Sequence, residues 1–160
     1  MKYNLALIGF GNVGQALAQI FRAKRANLAG QFGADFMIVA VCDLLKGSVC
    51  DPNGLDPATL LDTVTATGKL ETIVAPHHGW DALRTIAESG ADVVVELSYT
   101  DLKTGEPALT HLRAALNAGK HVVTTNKGPI ALHYAELKKI AETKGVEIGA
   151  EGTVMSGTPS

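Results

Sequence analysis

The sequence is poor in cysteine, has no run of one charge and no long apolar stretch, and each absence removes a class of protein. Cys42 and Cys50 are the only 2 cysteines in 160 residues. Cys42 lies in an apolar strand pattern and Cys50 in a loop, and they make no disulfide framework. Two reduced thiols in a cytoplasmic protein are expected, with a single Cys42–Cys50 bridge as the alternative. The 14 Lys and Arg against 16 Asp and Glu give a formal charge of −2. Lys24 and Arg25 open no longer basic run, so the stripe that a nucleic-acid partner requires is missing. No stretch approaches the roughly 20 apolar residues that span a bilayer, and the N-terminus lacks the charged-then-apolar pattern of a secretory signal. No membrane partner is expected. The histidines do not make a metal centre either. His77 and His78 lack a partner at ligand spacing, His111 and His133 fall in helical patterns, and His121 opens a strand. No serine stands on a nucleophile elbow.

What is present is a chain 46% hydrophobic and 19% charged, long enough to bury about two thirds of its unfolded surface in one packed domain over residues 1–160. Strand and helix signals alternate, without internal repeat or low-complexity segment, which predicts an α/β fold of the Rossmann type, a doubly wound, mostly parallel sheet with helices on both faces. The strands are read at Asn4 to Ile8, Met37 to Cys42, Asp92 to Leu97, His121 to Thr124 and Val146 to Ile148. Helices are read from Gln15 to Phe21, from the Asp56-Pro57 start, from Trp80 to Ser89, from Pro107 to Asn117 and from Pro129 to Lys144. Arg25 to Phe36 reads as a polar connection, and Asp51-Pro52-Asn53-Gly54 as a turn.

The first strand runs directly into Gly9-Phe10-Gly11-Asn12-Val13-Gly14. Gly-x-Gly-x-x-Gly between a strand and a helix is the dinucleotide-binding fingerprint. Gly9 permits the tight turn, Gly11 admits a pyrophosphate close to the backbone, and Gly14 lets the helix lie against the sheet. The helix then offers unpaired N–H groups and the positive end of its dipole to the phosphates. Ligands of an open parallel sheet bind beyond the carboxyl ends of the strands, so Asp43, Ser98 to Thr100 and Thr124 to Lys127 are the next candidates. A carboxylate at Asp43 can accept hydrogen bonds from adenosine ribose hydroxyls, which favours NAD over NADP, although Lys46 could reach a 2′-phosphate. Asp43 lies about thirty residues past the turn, farther than the usual ~20, and the long connection accounts for the excess. Lys127 sits at the amino end of a helix, against the dipole, where a substrate carboxylate, a cofactor phosphate or a reacting oxygen would compensate it.

Several further motifs extend along essentially the whole chain: Asp51-Pro52-Asn53-Gly54-Leu55-Asp56, Thr104-Gly105-Glu106-Pro107-Ala108, the turn Thr124-Thr125-Asn126-Lys127-Gly128-Pro129, and Glu151-Gly152-Thr153-Val154. With the glycine motif they resemble the nucleotide-binding domain of the homoserine dehydrogenase family. The resemblance implies an oxidoreductase that interconverts L-homoserine and L-aspartate 4-semialdehyde with a nicotinamide cofactor, a step toward threonine, methionine and isoleucine. It implies that Phe10, Asn12 and Val13 contact the pyrophosphate and ribose and that Asp43 selects on the adenosine side. Ser98, Tyr99 and Thr100 would lie near the nicotinamide ribose, and Asn126 would be a further cofactor-binding residue. Lys127 would be the catalytic cation beside cofactor and substrate, stabilising negative charge on the reacting oxygen. It also implies a monovalent cation such as sodium, held by Glu151 and the main-chain carbonyls of Val154, Ser156 and Thr158. The family's substrate and dimerisation domain is expected to be absent from this chain. The chain alone should then bind cofactor without turnover. The alternative is a free-standing, non-catalytic NAD(H)-binding or regulatory module.

Overall fold

The computed structural model describes residues 1–154. Seven strands form one sheet, with β1 (Lys2–Ile8), β2 (Asp35–Asp43), β3 (Gly47–Cys50), β4 (His77–His78), β5 (Val93–Glu96), β6 (His121–Thr124) and β7 (Ile148–Gly149) in the order β4-β3-β2-β1-β5-β6-β7. From β2 to β7 all neighbours are parallel, while β3 and β4 add an antiparallel edge. The helices are α1 (Asn12–Phe32), α2 (Pro57–Thr67), α3 (Ala82–Glu88), α4 (Ala108–Asn117) and α5 (Lys127–Lys144).

Side chains alternate across a strand, and β1 uses both of its faces. Leu5 and Leu7 pack with Ala18 and Phe21 of α1, Leu60, Leu61 and Val64 of α2, and Ile38 and Val41 of β2. Ile8 packs on the opposite face with Ile86 of α3, Leu109, Leu112 and Leu116 of α4, and Leu137 and Ala141 of α5. Two helices cover one face and three the other, as the alternating strand and helix signals predict. The chain leaves β1 toward β2 and later returns to β1's other side as β5, so the strand order reverses there and opens a crevice at the carboxyl ends.

Register decides what meets at that edge. Ile8 is level with Cys42 on one side and Glu96 on the other, and Glu96 is level with Thr124. The residues that follow, Asp43, Gly9, Leu97 and Thr125, therefore leave the sheet side by side. Asp43 and Thr125 are three strand spacings apart, about 14 Å.

Three expectations are corrected. The predicted polar connection from Arg25 is largely helix, since α1 continues to Phe32 and ends at Gly33, whose φ of 63° makes the left-handed cap. Residues 22–32 are mostly Ala, Arg, Lys, Gln and Leu, good helix formers whose polar side chains face water. Arg25 ties this extension to β2 through a two-pronged bond to Asp35 at 2.7 and 2.8 Å. The segment containing Cys50 is a strand rather than a loop, and Cys50 is 3% exposed. Only pairing with β2 and β4 makes it one, because four residues carry too little pattern to signal a strand. Finally, α5 starts at Lys127, two residues before Pro129, and bends at His133, where φ is −133°. The turn at Asp51–Gly54 forms as read, closed by Gly54 N–H donating to the Asp51 carbonyl at 3.0 Å. At the start of α2, Asp56 accepts from Thr59 N–H at 3.0 Å, with Pro57 in the first turn.

Candidate dinucleotide site at the carboxyl edge

The three glycines of the first turn have different reasons to be glycine. Gly9 has φ +103°, and a Cβ there would lie 2.6 Å from the Leu97 carbonyl group and 2.8 Å from Ser98 N. A Cβ on Gly14 would meet the Gly9 carbonyl oxygen at 2.7 Å, so this glycine brings α1 close to the turn itself. Gly11 differs from both, with nothing within 4 Å of a Cβ built on it and a φ of −77°, which any residue adopts. No contact among the described residues calls for glycine there, and the space above it is open to a ligand. Gly11 is the N-cap of α1 and supplies no side-chain cap. Among the described residues, the first-turn N–H groups of Asn12 and Val13 find no acceptor. Both residues are exposed. Two free donors, a helix dipole and open space above Gly11 fit a diphosphate.

Phe10 is located beneath this cradle rather than in it. Its ring is fully buried, its N–H donates to Asp43 Oδ2 at 2.7 Å, and its carbonyl accepts from the Gln15 side chain at 3.0 Å. Phe10 therefore holds the turn in place and has no free amide for a phosphate. Asp43 is the other half of that tie. Its Oδ1 accepts from Leu45 N and Lys46 N, each at 3.0 Å, and Lys46 Nζ stands 3.8 Å away. Burial pushes the Asp43 carboxyl up, but the three backbone N–H groups and the Lys46 ammonium outweigh it and hold the group below the usual aspartate range. It stays ionised, and Asp43 is among the residues lining the cleft.

The nicotinamide-side candidates gather around a residue that sequence reasoning passed over. Glu96, the last residue of β5, is 0% exposed. Its Oε1 accepts from the Ser98 hydroxyl, from Ser98 N at 3.3 Å and from His111 Nδ1 at 3.2 Å. Its Oε2 accepts from the Asn126 amide, which also donates to the Ser98 carbonyl at 2.8 Å. The signal was a carboxylate closing the otherwise apolar run Val93-Val94-Val95, since a buried charge demands partners. Ser98, His111 and Glu96 do not form a nucleophile triad. Serine and histidine address the same carboxylate oxygen, so the histidine is not interposed between carboxylate and nucleophile.

Tyr99 is 77% exposed, and the half-buried Thr100 donates to the Gly105 carbonyl at 3.0 Å. Lys127 opens α5 and is exposed, and among the described residues no carboxylate lies within ion-pair distance of it. A cleft of about 820 Å³ runs along this edge. Gly9, Gly11, Asp43, Lys46, Ser98, Tyr99 and His111 line it, together with Ser48, Trp80 and the exposed Leu44 and Leu45. The Ser48 hydroxyl is buried and has no hydrogen-bond partner among the described residues. Lys127 is not part of this lining. Of the expected cation ligands, Glu151 opens a short 3₁₀ turn after β7 and Val154 caps it, whereas Ser156 and Thr158 lie outside the described residues. The two cysteines are free, and burial pushes both thiols up, which keeps them unreactive. Among the described residues no helix is long and apolar enough to cross a membrane.

A doubly wound sheet whose glycine turn carries free helix-terminal amides at the switch point is a Rossmann-type dinucleotide-binding domain. Comparison narrows the class. The family model described as homoserine dehydrogenase, NAD binding domain, matches residues 9–151, and the chain belongs to that family. It is 46% identical over 160 residues to an NAD(+)-dependent homoserine dehydrogenase of Pseudomonas canavaninivorans, covering 99% of this chain and 45% of the relative. It is 35% identical to a homoserine dehydrogenase of Methanocaldococcus jannaschii, over 98% of this chain and 46% of that one. Among solved structures, a hyperthermophilic archaeal homoserine dehydrogenase mutant in complex with NADPH superimposes with a TM-score of 0.82 at 31% identity, covering 99% of this chain and 46% of that chain. The chain thus spans less than half the length of the curated relatives it matches, and corresponds to their NAD-binding part.

Proposed function

We propose that this chain is the cofactor half of an enzyme that moves a hydride between a nicotinamide dinucleotide and the homoserine/aspartate 4-semialdehyde pair. The observation that carries the reading is the pair of free amides at Asn12 and Val13 beneath the open face of Gly11, in a chain of this family. The bound cofactor supplies the hydride chemistry. The chain's own groups hold and orient it. The α1 N-terminus takes the diphosphate, Asp43 faces the adenosine ribose, and the Ser98–Thr100 loop and Asn126 adjoin the nicotinamide side. Lys127, exposed at the start of α5, is the cation for negative charge developing on the reacting oxygen.

The ionised Asp43 favours NAD, because a 2′-phosphate beside it would bring like charges together. The NAD(+)-dependent relative supports this preference, while the archaeal complex with NADPH and the nearby Lys46 make NADPH the comparison to run. Substrate grip and proton transfer belong, on this reading, to a substrate domain outside residues 1–160, so the chain alone binds cofactor without turnover. Trp80 is the single tryptophan of the chain and lines the cleft, which provides the assay. NADH should quench its emission saturably, with energy transfer to the reduced nicotinamide, and NADPH should bind more weakly. Absence of saturable quenching together with absence of calorimetric heat would refute the reading. Equal affinities would remove the selector role of Asp43.

A further inference from the structure

A carboxylate that is 0% exposed carries a heavy desolvation cost unless it is fully partnered, and a valine or leucine would serve the core of a parallel strand at no such cost. Glu96 nevertheless ends β5, and its four acceptor contacts reach three separate elements. Ser98 is in the loop after β5, His111 is in α4, and Asn126 is in the turn after β6. A second set of bonds repeats the tie at the backbone. The Thr124 hydroxyl donates to the Glu96 carbonyl at 3.2 Å and accepts from Asn126 N at 3.0 Å. Asn126 directly precedes Lys127. Nothing else among the described contacts of Asn126 points toward α5, and its side chain makes no cap for that helix. Its amide hydrogens are both turned back, onto Glu96 and onto the Ser98 carbonyl.

We propose that Glu96 is a positioning residue. Its buried carboxylate locks the Ser98 loop to the Asn126–Lys127 turn and so shapes the end of the cleft that receives the nicotinamide. The inference rests on the dinucleotide reading above and goes beyond it in assigning the geometry of one end of the site to one buried group. Glu96 touches no ligand itself, since Ser98 and His111 stand between it and the cleft. The chemistry of the lock is directional. Both carboxylate oxygens accept, Oε1 from serine and histidine and Oε2 from asparagine. In E96Q one of the two positions becomes an N–H donor facing a donor. Either the Asn126 amide or the Ser98 backbone N–H then loses its acceptor, whereas the Ser98 hydroxyl can reverse and accept, and the side-chain volume is unchanged.

The test separates the two ends of the cofactor by titrating this chain with NADH and with ADP-ribose, which lacks the nicotinamide. E96Q should raise the Kd for NADH about tenfold, the weight of one buried charge-assisted hydrogen bond, and leave the Kd for ADP-ribose within about twofold. N126A, which cuts the same tie from its half-buried side, should show the same split. The double variant E96Q/N126A should lose no more NADH affinity than E96Q alone, because both changes break one lock. Equal losses for both ligands, an unchanged NADH affinity, or losses that add in the double variant would overturn the proposal. If E96Q does not fold, N126A alone decides, and an unchanged NADH affinity in N126A is the refuting result. Failure of the dinucleotide reading itself would look different, because the unsubstituted chain would then bind neither ligand.

Discussion

Gly9 and Gly11 are two residues apart in one turn, yet substituting each should damage a different property. Gly11→Ala adds a Cβ where nothing lies within 4 Å and where φ is −77° and ψ −155°, an extended conformation open to alanine. Alanine is a poorer N-cap than glycine, by a few tenths to about 1 kcal/mol. It also restricts the unfolded chain, which returns roughly 0.4–1 kcal/mol. The two nearly cancel, so the melting temperature should move by no more than about 2 °C for a chain of this size. Binding should respond very differently. A methyl group in the cradle holds a diphosphate away from the Asn12 and Val13 amides, and hydrogen bonds to a charged group are worth about 1.5–3 kcal/mol each. Loss of one weakens NADH by about one to two decades, and loss of both by about two to four. Gly9→Ala serves as the opposite control. Its φ of +103° and the 2.6 Å approach to Leu97 combine backbone strain of about 1–3 kcal/mol with overpacking of similar size, enough to lower the melting temperature by about 10 °C. Thermal melts and calorimetric NADH titrations of the three proteins measure both effects. A Gly11→Ala protein that melts normally and binds NADH within twofold of the parent would refute the assignment of the diphosphate to the α1 N-terminus.

Two further outcomes follow from the charges at the edge. The Asp43 carboxyl ionises more readily in the folded chain than in the unfolded one, so its contribution to stability is fully present above an unfolded aspartate pKa of about 3.9. That contribution fades as pH falls through the lower folded value. Urea melts from pH 7 to pH 3 should therefore show Asp43→Asn less stable than the parent at neutral pH, with the gap narrowing below about pH 4, and a pH-independent gap would mean the charge is not what Phe10, Leu45 and Lys46 are responding to. Lys127→Ala should leave the melt unchanged or raise it slightly, since a cation at a helix N-terminus opposes the dipole by about 0.3–1 kcal/mol. In a protein that joins this chain to a substrate domain, the same change should lower hydride transfer strongly, measured as NADH appearance. Retained kcat would assign the lysine to solvent.

The order of elements was legible because its signals are local. An apolar run passing into glycines, an Asp-Pro helix start, and glycines closing helices act over a few residues, and the alternation they produce dictates a doubly wound sheet. The family could be recognised for the same reason, its motifs being contiguous. Reading failed in two ways. The helix propensity of residues 22–32 carried α1 through Phe32, a local signal hidden by the polar composition, whereas the other miss turned on pairing between strands. Cys50 joined a strand because β2 and β4 paired with its segment.

The amino-acid sequence by itself determined the turn of glycines, the strand before it and the helix after it, since φ +103° at Gly9 and the helical spacing beyond are properties of neighbouring residues. Only the tertiary structure decided that Asp43 holds Phe10 across 33 positions and that Glu96 joins His111 and Asn126 across 15 and 30. Those contacts depend on the register that brings Cys42, Ile8, Glu96 and Thr124 into one row. Register is set by how two helices on one face and three on the other bury the sheet, and the pattern of any one strand does not contain that information.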